Sequence, residues 1–420
     1  MQRVARWQRG EILLRVKAPA PTREQASGVA LAGELRGLKS PVVSGVLHDN
    51  PRTSADRRLP RHLLAGLCEG GRSRGRSLHE EAHVENWRNK KTLILSRTDM
   101  VGLLAPEECN DCVEQAFRMF GEDRVYMEPK GHIVLDKYPG EWEIMPSYLE
   151  EPESAACKWV SIRFDNRERY GLPTVFSILV YSHPETGFPL AICDGSHHTN
   201  MRTGASVAVS AKWLARPDSK VMAIVGAGDS ARGAIKCCRS IFDWTDVRVW
   251  SRSQSTRDEL AAEVADDCGH LPISYTEDLE TAVRGADVVV TVTPSTEPLV
   301  KDEWIDPGTH FACIGGGLAG SQELEPSILK RARIFTDDIR QCKDDGEINV
   351  PLSKGELSLD DVTGDFGAVV AGTLEGRQSD RQITVFDSTG IALQDSATVP
   401  LEYERAIEAG VGVEKKMISA

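Results

Sequence analysis

The chain has 420 residues, 40% of them hydrophobic, with 50 basic against 63 acidic side chains and a formal net charge of −13. That length supports two or more domains with a sizeable core. No apolar run of about eighteen residues is present to span a membrane. The ten cysteines form no paired CxxC framework, and nothing near Met1 reads as a secretory h-region, so a cytoplasmic protein with reduced thiols is expected.

Charge is unevenly spread. Residues 1–90 carry a net +8, with Trp7 and Trp87 as their only aromatics, and the remainder carries −21. Stretches such as GGRSRGRS follow neither a strand nor a helix period. Residues 1–90 are therefore expected to be an extension outside the fold, disordered or upstream of the true start. Nucleic-acid binding is not expected, because no aromatics interleave with the arginines.

Regular structure is expected from Lys91. KTLILS reads as a strand and 106–120 as an amphipathic helix. Cys109 and Cys112 lie on that helix, where packing explains them better than redox or metal chemistry. GHIVLDKY, CKWVSIRF, TVFSILVYS and PLAICDGS are strand-like and turn-linked, forming a meander, and 201–214 is a helix of small residues. From Val221 the pattern alternates. VMAIVG, VRVW, DVVVTVT, HFACIG, RIFTDD and ITVFDSTG are strands; 229–241, 255–268, 323–331 and 392–409 lie between or after them as helices. Apolar β-branched runs separated by helices predict a doubly wound parallel sheet, so the fold class is α/β, Rossmann-type, with a second α/β domain.

The first of these strands runs into VGAGDSARGA. Gly226, Gly228 and Ala231 fill a GxGxxG/A fingerprint: a tight turn, close approach of backbone to pyrophosphate, and helix-on-strand packing, with a helix N-terminus facing the anion. The context that the motif requires is present, a strand before and a helix after. Asp229 is out of place beside phosphate unless it points away. The second strand ends in Trp250, Ser251, Arg252 and Ser253 where an acid would bind the ribose of NAD. A hydroxyl and a guanidinium suit a 2′-phosphate, so NADP(H) is the expected preference, with NAD(H) the alternative. Asp229, Ser230, Thr293 and Gly315 nonetheless join the expected cofactor-binding set.

Lys158 alternates in phase with Val160, Ile162 and Phe164, which puts an ammonium on an apolar face; that is costly unless it is paired or catalytic. Arg202, near the start of the small-residue helix, suits a carboxylate clamp. His197 and His198 have no third ligand at metal spacing and read as ordinary polar residues, and no metal is expected.

Taken together, EIMPSY, CKWVSIRF, YGLPTVFSILVYSHPETGFPLAICDGS, MRTGASVAVSAKWLARPDSK, VGAGDSA, GADVVVTVT and SDRQITVFDSTG resemble the ornithine cyclodeaminase/mu-crystallin family from about Lys91 onward. The resemblance implies a homodimer in amino acid metabolism. A substrate and dimerisation domain would comprise 91–206 plus 386–420, and a dinucleotide domain 207–385. It also implies that Lys130, Lys158 and Arg202 hold a substrate carboxylate, although an arginine is usual at the first position. Glu143 would match a carboxylate that faces a distal amine in cyclodeaminases. Thr174 and Ser388 match cofactor-contacting positions. In the glycine turn after HFACIG, cyclodeaminases carry an aspartate where this chain has Gly317, and Ser321 replaces a family lysine.

Three functions follow from this reading. The first is an NAD(P)(H)-dependent oxidoreductase on the C–N bond of a small amino or imino acid, with Lys158 and Arg202 as its catalytic pair. The second is a true ornithine or lysine cyclodeaminase that recycles its cofactor. The third is a non-catalytic NADPH-binding or accessory protein.

Overall fold

A computed structural model of the chain describes residues 87–419. The expectation for residues 1–90 thus falls outside the described residues, apart from 87–90. Two eight-stranded sheets organise the rest.

The first sheet is mixed. Its strands are β1 (Thr92–Leu95), β2 (Val125–Met127), β3 (Gly131–Leu135), β4 (Tyr138–Glu150), β5 (Glu153–Arg163), β6 (Val175–Ser182), β7 (Pro189–Asp194) and, from the chain's end, β16 (Val413–Lys415). The order is β16-β1-β7-β6-β5-β4-β2, with β3 also paired to β4. All pairings are antiparallel except β1 with β7. The long β4–β5 hairpin follows a period of two. Met145, Lys158, Val160 and Ile162 face inward and are buried, while Trp159 and Ile178 face out and are exposed.

The second sheet is wholly parallel. It comprises β8 (Val221–Val225), β9 (Asp246–Trp250), β10 (Ile273–Thr276), β11 (Val288–Thr291), β12 (His310–Cys313), β13 (Ala332–Thr336), β14 (Val362–Asp365) and β15 (Ile383–Asp387). The order is β10-β9-β8-β11-β12-β15-β13-β14. Every residue of β11, β12 and β15 is buried, as helices on both faces of a parallel sheet require.

The main helices are α1 (Pro106–Gly121), α2 (Gly195–Leu214), α3 (Asp229–Cys238), α4 (Gln254–Cys268), α5 (Ile339–Asp345), α6 (Phe366–Val370) and α7 (Ala392–Ala409). α2 joins the two sheets in sequence and packs closely on α3. A Cβ on Gly204 would overlap the Gly233 carbonyl group, and one on Gly233 would overlap the Asn200 carbonyl. Glycine at both positions lets the backbones touch. Among the described residues no helix is long and apolar enough to cross a membrane.

Local boundaries differ from the sequence reading where side chains cap or break an element. The helix expected from 201 starts at Gly195, because the Asp194 carboxylate accepts from Ser196 N and His197 N at 3.1 and 3.2 Å. The helix expected over 229–241 ends at Cys238. EIMPSY, read only as part of a resemblance, lies within β4. Phe164 does not share the face of Lys158. β5 ends at Arg163, the chain turns, and Phe164 is exposed.

Candidate active site

The glycine loop sits where sheet order reverses, between β8 and β11. Gly226 has φ +125°, and a Cβ there would press on the Val292 carbonyl at 2.6 Å; only glycine takes this turn without strain. Its N–H donates to Trp250 O at 2.9 Å, tying the loop to the end of β9. A Cβ on Gly228 would meet nothing within 4 Å, so the backbone there is open to a ligand. α3 begins with no side-chain cap, which leaves its first N–H groups for an anion. The chain thus fits a dinucleotide pyrophosphate. Ala231 is fully buried under the loop, and Ser230 lies half-buried in the first turn. Asp229 is exposed and ion-paired with Arg232, which also reaches Glu263 at 2.8 Å, so a partner on its own helix holds its charge. Beyond β9, the Ser251 carbonyl accepts from Arg257, and Arg252 is exposed.

Across the switch point, a buried string of carboxylates holds the carboxyl ends of the neighbouring strands. Thr293 N–H and hydroxyl both donate to Glu323 at 2.7 Å. Gly315 lies against that carboxylate so closely that a Cβ would overlap it. Burial pushes Glu323 up to about 7, opposed by the Thr293 donors. Glu347 accepts from Glu323 N and Leu324 N, and Asp387 accepts from Glu347 N and Ile348 N. The Ser388 hydroxyl and Gly390 N donate to Asp337 at 2.7 and 2.9 Å. Thr293, Gly315 and Ser388 therefore share one sheet edge. Thr174 stands apart on the mixed sheet, ahead of β6, where its carbonyl accepts from Arg163 N.

The cationic residues meet above the end of β15. Lys158 Nζ lies 2.8 Å and Arg202 Nε 3.0 Å from the same Asp395 Oδ1, and Arg202 Nη1 donates to Gln394 at 2.7 Å. Gly390, at φ +75°, would strike the Arg202 guanidinium if it carried a Cβ. Lys130 Nζ donates to the neighbouring Thr389 carbonyl at 3.1 Å and to Glu143 at 3.3 Å. Lys130, Glu143, Lys158 and Arg202 are thus brought to one place. Leu318, from the glycine turn after β12, packs with Met145, Val160, Ile162 and Ala392. That turn therefore closes against the Lys158 face of the mixed sheet.

His198 is a member of this cluster and not an ordinary polar residue. Its Nε2 lies 3.2 Å from Asp395 Oδ1, an ion pair without hydrogen-bond alignment, and its Nδ1 lies 2.6 Å from Glu402. Burial disfavours its charge, but Glu402 and Asp395 outweigh that and raise it to about 9. Burial, reinforced by Arg202, lowers Lys158 to about 8. For Asp395, burial is overcome by Lys158 and Arg202, and its carboxyl is held well below the usual range. Three cations therefore face two carboxylates, a surplus of one positive charge that suits an anionic substrate group.

Sequence reasoning missed Asp395, Gln394, Glu323, Glu347, Asp387 and Asp337. The one available signal was Gln394-Asp395 inside IALQDSATVP, a stretch of α7 otherwise made mostly of apolar and small residues.

Residues 90–410 match the model of the ornithine cyclodeaminase/mu-crystallin family. The chain belongs to this family. Among its relatives is alanine dehydrogenase of Archaeoglobus fulgidus, 39% identical over 322 residues, covering 77% of this chain and 97% of that protein. Of solved family structures, an archaeal alanine dehydrogenase dimer with bound NAD superposes with a TM-score of 0.73 at 39% identity, covering 78% of this chain and all of that one. The Δ1-pyrroline-2-carboxylate reductase of Thermococcus litoralis, solved with NADH and L-proline, gives 0.73 at 32% identity, covering 77% of this chain and 99% of that one.

Proposed function

We propose that the protein is an NAD(P)(H)-dependent oxidoreductase acting on the C–N bond of a small α-amino or α-imino acid. The observation that carries this reading is the convergence of Lys158 and Arg202 on one Asp395 oxygen, beside the 388–390 loop at the carboxyl end of β15. Open α/β sheets bind ligands at that edge. The dinucleotide, seated on Gly226, Gly228 and the first turn of α3, would supply hydride chemistry. Lys158, Arg202 and Lys130 hold the substrate carboxylate and so fix its α-carbon, an entropic gain of up to about 7–11 kcal/mol in well-oriented systems. Leu318, Met145, Val160 and Ile162 exclude water from that side. The named relatives act on amino and imino acids, in agreement. The test is a panel of 2-oxo acids with ammonia and of cyclic imino acids, offered with NADH or NADPH. Steady consumption of reduced cofactor matched by amine formation is expected. Tight cofactor binding without turnover on any member would sink the reading.

Glu143 supports ring-closing deamination as the second reading. Against it, Gly317 supplies no acid, although a Cβ there would meet nothing within 4 Å and an aspartate would fit. Net consumption of cofactor separates the two, because a cyclodeaminase returns its hydride.

For cofactor choice we propose a preference for NADP(H). Arg252 is exposed just past β9, in a Ser-Arg-Ser turn without a carboxylate. Arg252→Asp is expected to weaken NADPH binding at least about tenfold, through loss of a charge-assisted contact, and to leave NADH binding much less affected. Titration of both cofactors by fluorescence checks this.

We propose a homodimer built on the outer face of the mixed sheet. Tyr138, Trp159, Phe176 and Ile178 are exposed there side by side, a patch of the kind that marks an interface. Ile178→Asp is expected to shift the protein from dimer to monomer in light scattering. An unchanged mass would place the interface elsewhere.

A further inference from the structure

Beside the substrate cations lies a second cluster with the opposite charge balance. His132 on β3 is paired in register with Glu143 on β4. Glu141, two residues before Glu143, points to the same face by the period of the strand. His132 Nδ1 lies 3.1 Å from Glu141 Oε2, and Nε2 lies 3.6 Å from Asp345 Oδ2 at the end of α5. Both ring nitrogens thus face carboxylates. A neutral imidazole has one N–H and satisfies only one of them. Glu141 keeps its other oxygen, Oε1, buried without a partner, on a side chain only 9% exposed. Three carboxylates, Glu141, Glu143 and Asp345, stand against the one ammonium of Lys130, which also binds the Thr389 carbonyl. The cluster can accept another cation.

We propose that His132, Glu141 and Glu143, with Asp345 behind the imidazole, bind a divalent transition-metal cation. One ligand atom from each of the three lies within 4.8 Å of the others, so small side-chain rotations bring them to metal distance. One imidazole and two carboxylates suit zinc or manganese, and a three-ligand set leaves a position for water. His132 is partly open to solvent, with a side-chain exposure of 31%, which gives the ion a way in. Asp345 Oδ2 stands 3.6 Å from the second ring nitrogen, on the side where carboxylates commonly orient metal-bound histidines. A cation here takes Glu143 away from Lys130 and frees the ammonium for the substrate carboxylate, so the metal tunes substrate affinity.

The test is equilibrium dialysis of the full-length protein, stripped of metal, against zinc or manganese chloride, with bound metal measured by mass spectrometry. Wild type is expected to retain about one equivalent at saturation. Glu141→Gln preserves shape and His132→Ala changes a partly open side chain. Each is expected to weaken binding by at least about 10–100-fold, the range seen when even outer-shell groups are lost. Thermal melts of both variants confirm that they are folded. Absence of a saturable equivalent in wild type overturns the proposal. So does equal affinity in both variants, which would assign the metal to another part of the chain. Binding is read without turnover, so this result is independent of the proposed reaction.

Discussion

If the Lys158 ammonium that is proposed to hold the substrate carboxylate also relays the proton at its nitrogen, Lys158→Met is expected to lower kcat/KM by about 10²–10⁴-fold, the range for loss of a positioned acid–base group. The fold is expected to survive, because methionine fills the buried site and Asp395 keeps Arg202 and His198 as partners. The pH profile makes the role specific. Burial and Arg202 bring Lys158 down to about 8. Below that pH it is an ammonium and can donate to the amine nitrogen formed on reduction; above it, it is an amine and can accept the proton released on oxidation. The reductive rate is therefore expected to fall as pH rises through about 8, and the oxidative rate to rise. Both limbs are expected to vanish in Lys158→Met. Profiles of kcat/KM in both directions measure this. A limb near pH 8 that persists in the variant would assign the proton to another group. Arg202→Lys keeps the charge but loses the planar fork that spans Asp395 and Gln394. It is expected to act mainly through KM.

How much of this arrangement was readable from residue order differs by element. The parallel sheet was legible because each of its core strands is buried on both faces. Runs such as VVVT in β11 have no reason to be anything but apolar. The glycine loop was legible because its backbone geometry demands glycine at Gly226 and permits nothing larger. Lys158 was found by alternation alone, since a charge on the apolar face of β5 has no cheap explanation. The ion cluster around it was not legible. Asp395 lies 237 residues from Lys158 in sequence and 193 from Arg202, and no local pattern encodes such a meeting. His198 looked ordinary because its partners, Asp395 and Glu402, come from α7 near the other end of the chain. Glu323, Glu347, Asp387 and Asp337 were missed for a related reason. They hold loops through main-chain N–H groups, and a main-chain donor leaves no trace in side-chain identity.

Asp395→Ala is expected to be the most destabilising single substitution in the site. Removing one partner of a buried ionic cluster strands the others, at a cost of about 3–5 kcal/mol. Here it leaves three cations, Lys158, Arg202 and His198, with only Glu402 as a close counter-charge. The pH dependence fixes the sign. Burial raises Asp395, but Lys158 and Arg202 outweigh it, and its folded value lies below the unfolded 3.8. Its contribution is thus present above about pH 4 and is lost as pH falls below that. Burial lowers His198, but Glu402 and Asp395 outweigh it and lift the group from 6.5 to about 9. Its contribution is complete below 6.5 and is lost as pH rises through about 9. Lys158 runs the other way, from 10.5 unfolded to about 8 folded; the cost of burying its charge is complete below 8 and is relieved as pH rises from 8 to 10.5. The stability advantage of wild type over Asp395→Ala is therefore expected to be greatest between about pH 4 and 6.5. It is expected to shrink in acid, as the carboxylate is protonated, and again in base, as His198 and Lys158 lose the charges that Asp395 holds. Thermal melts of both proteins across this range read the difference directly. An advantage that stays flat from pH 4 to 9.5 would mean that packing, and not the ion cluster, is what Asp395 supplies.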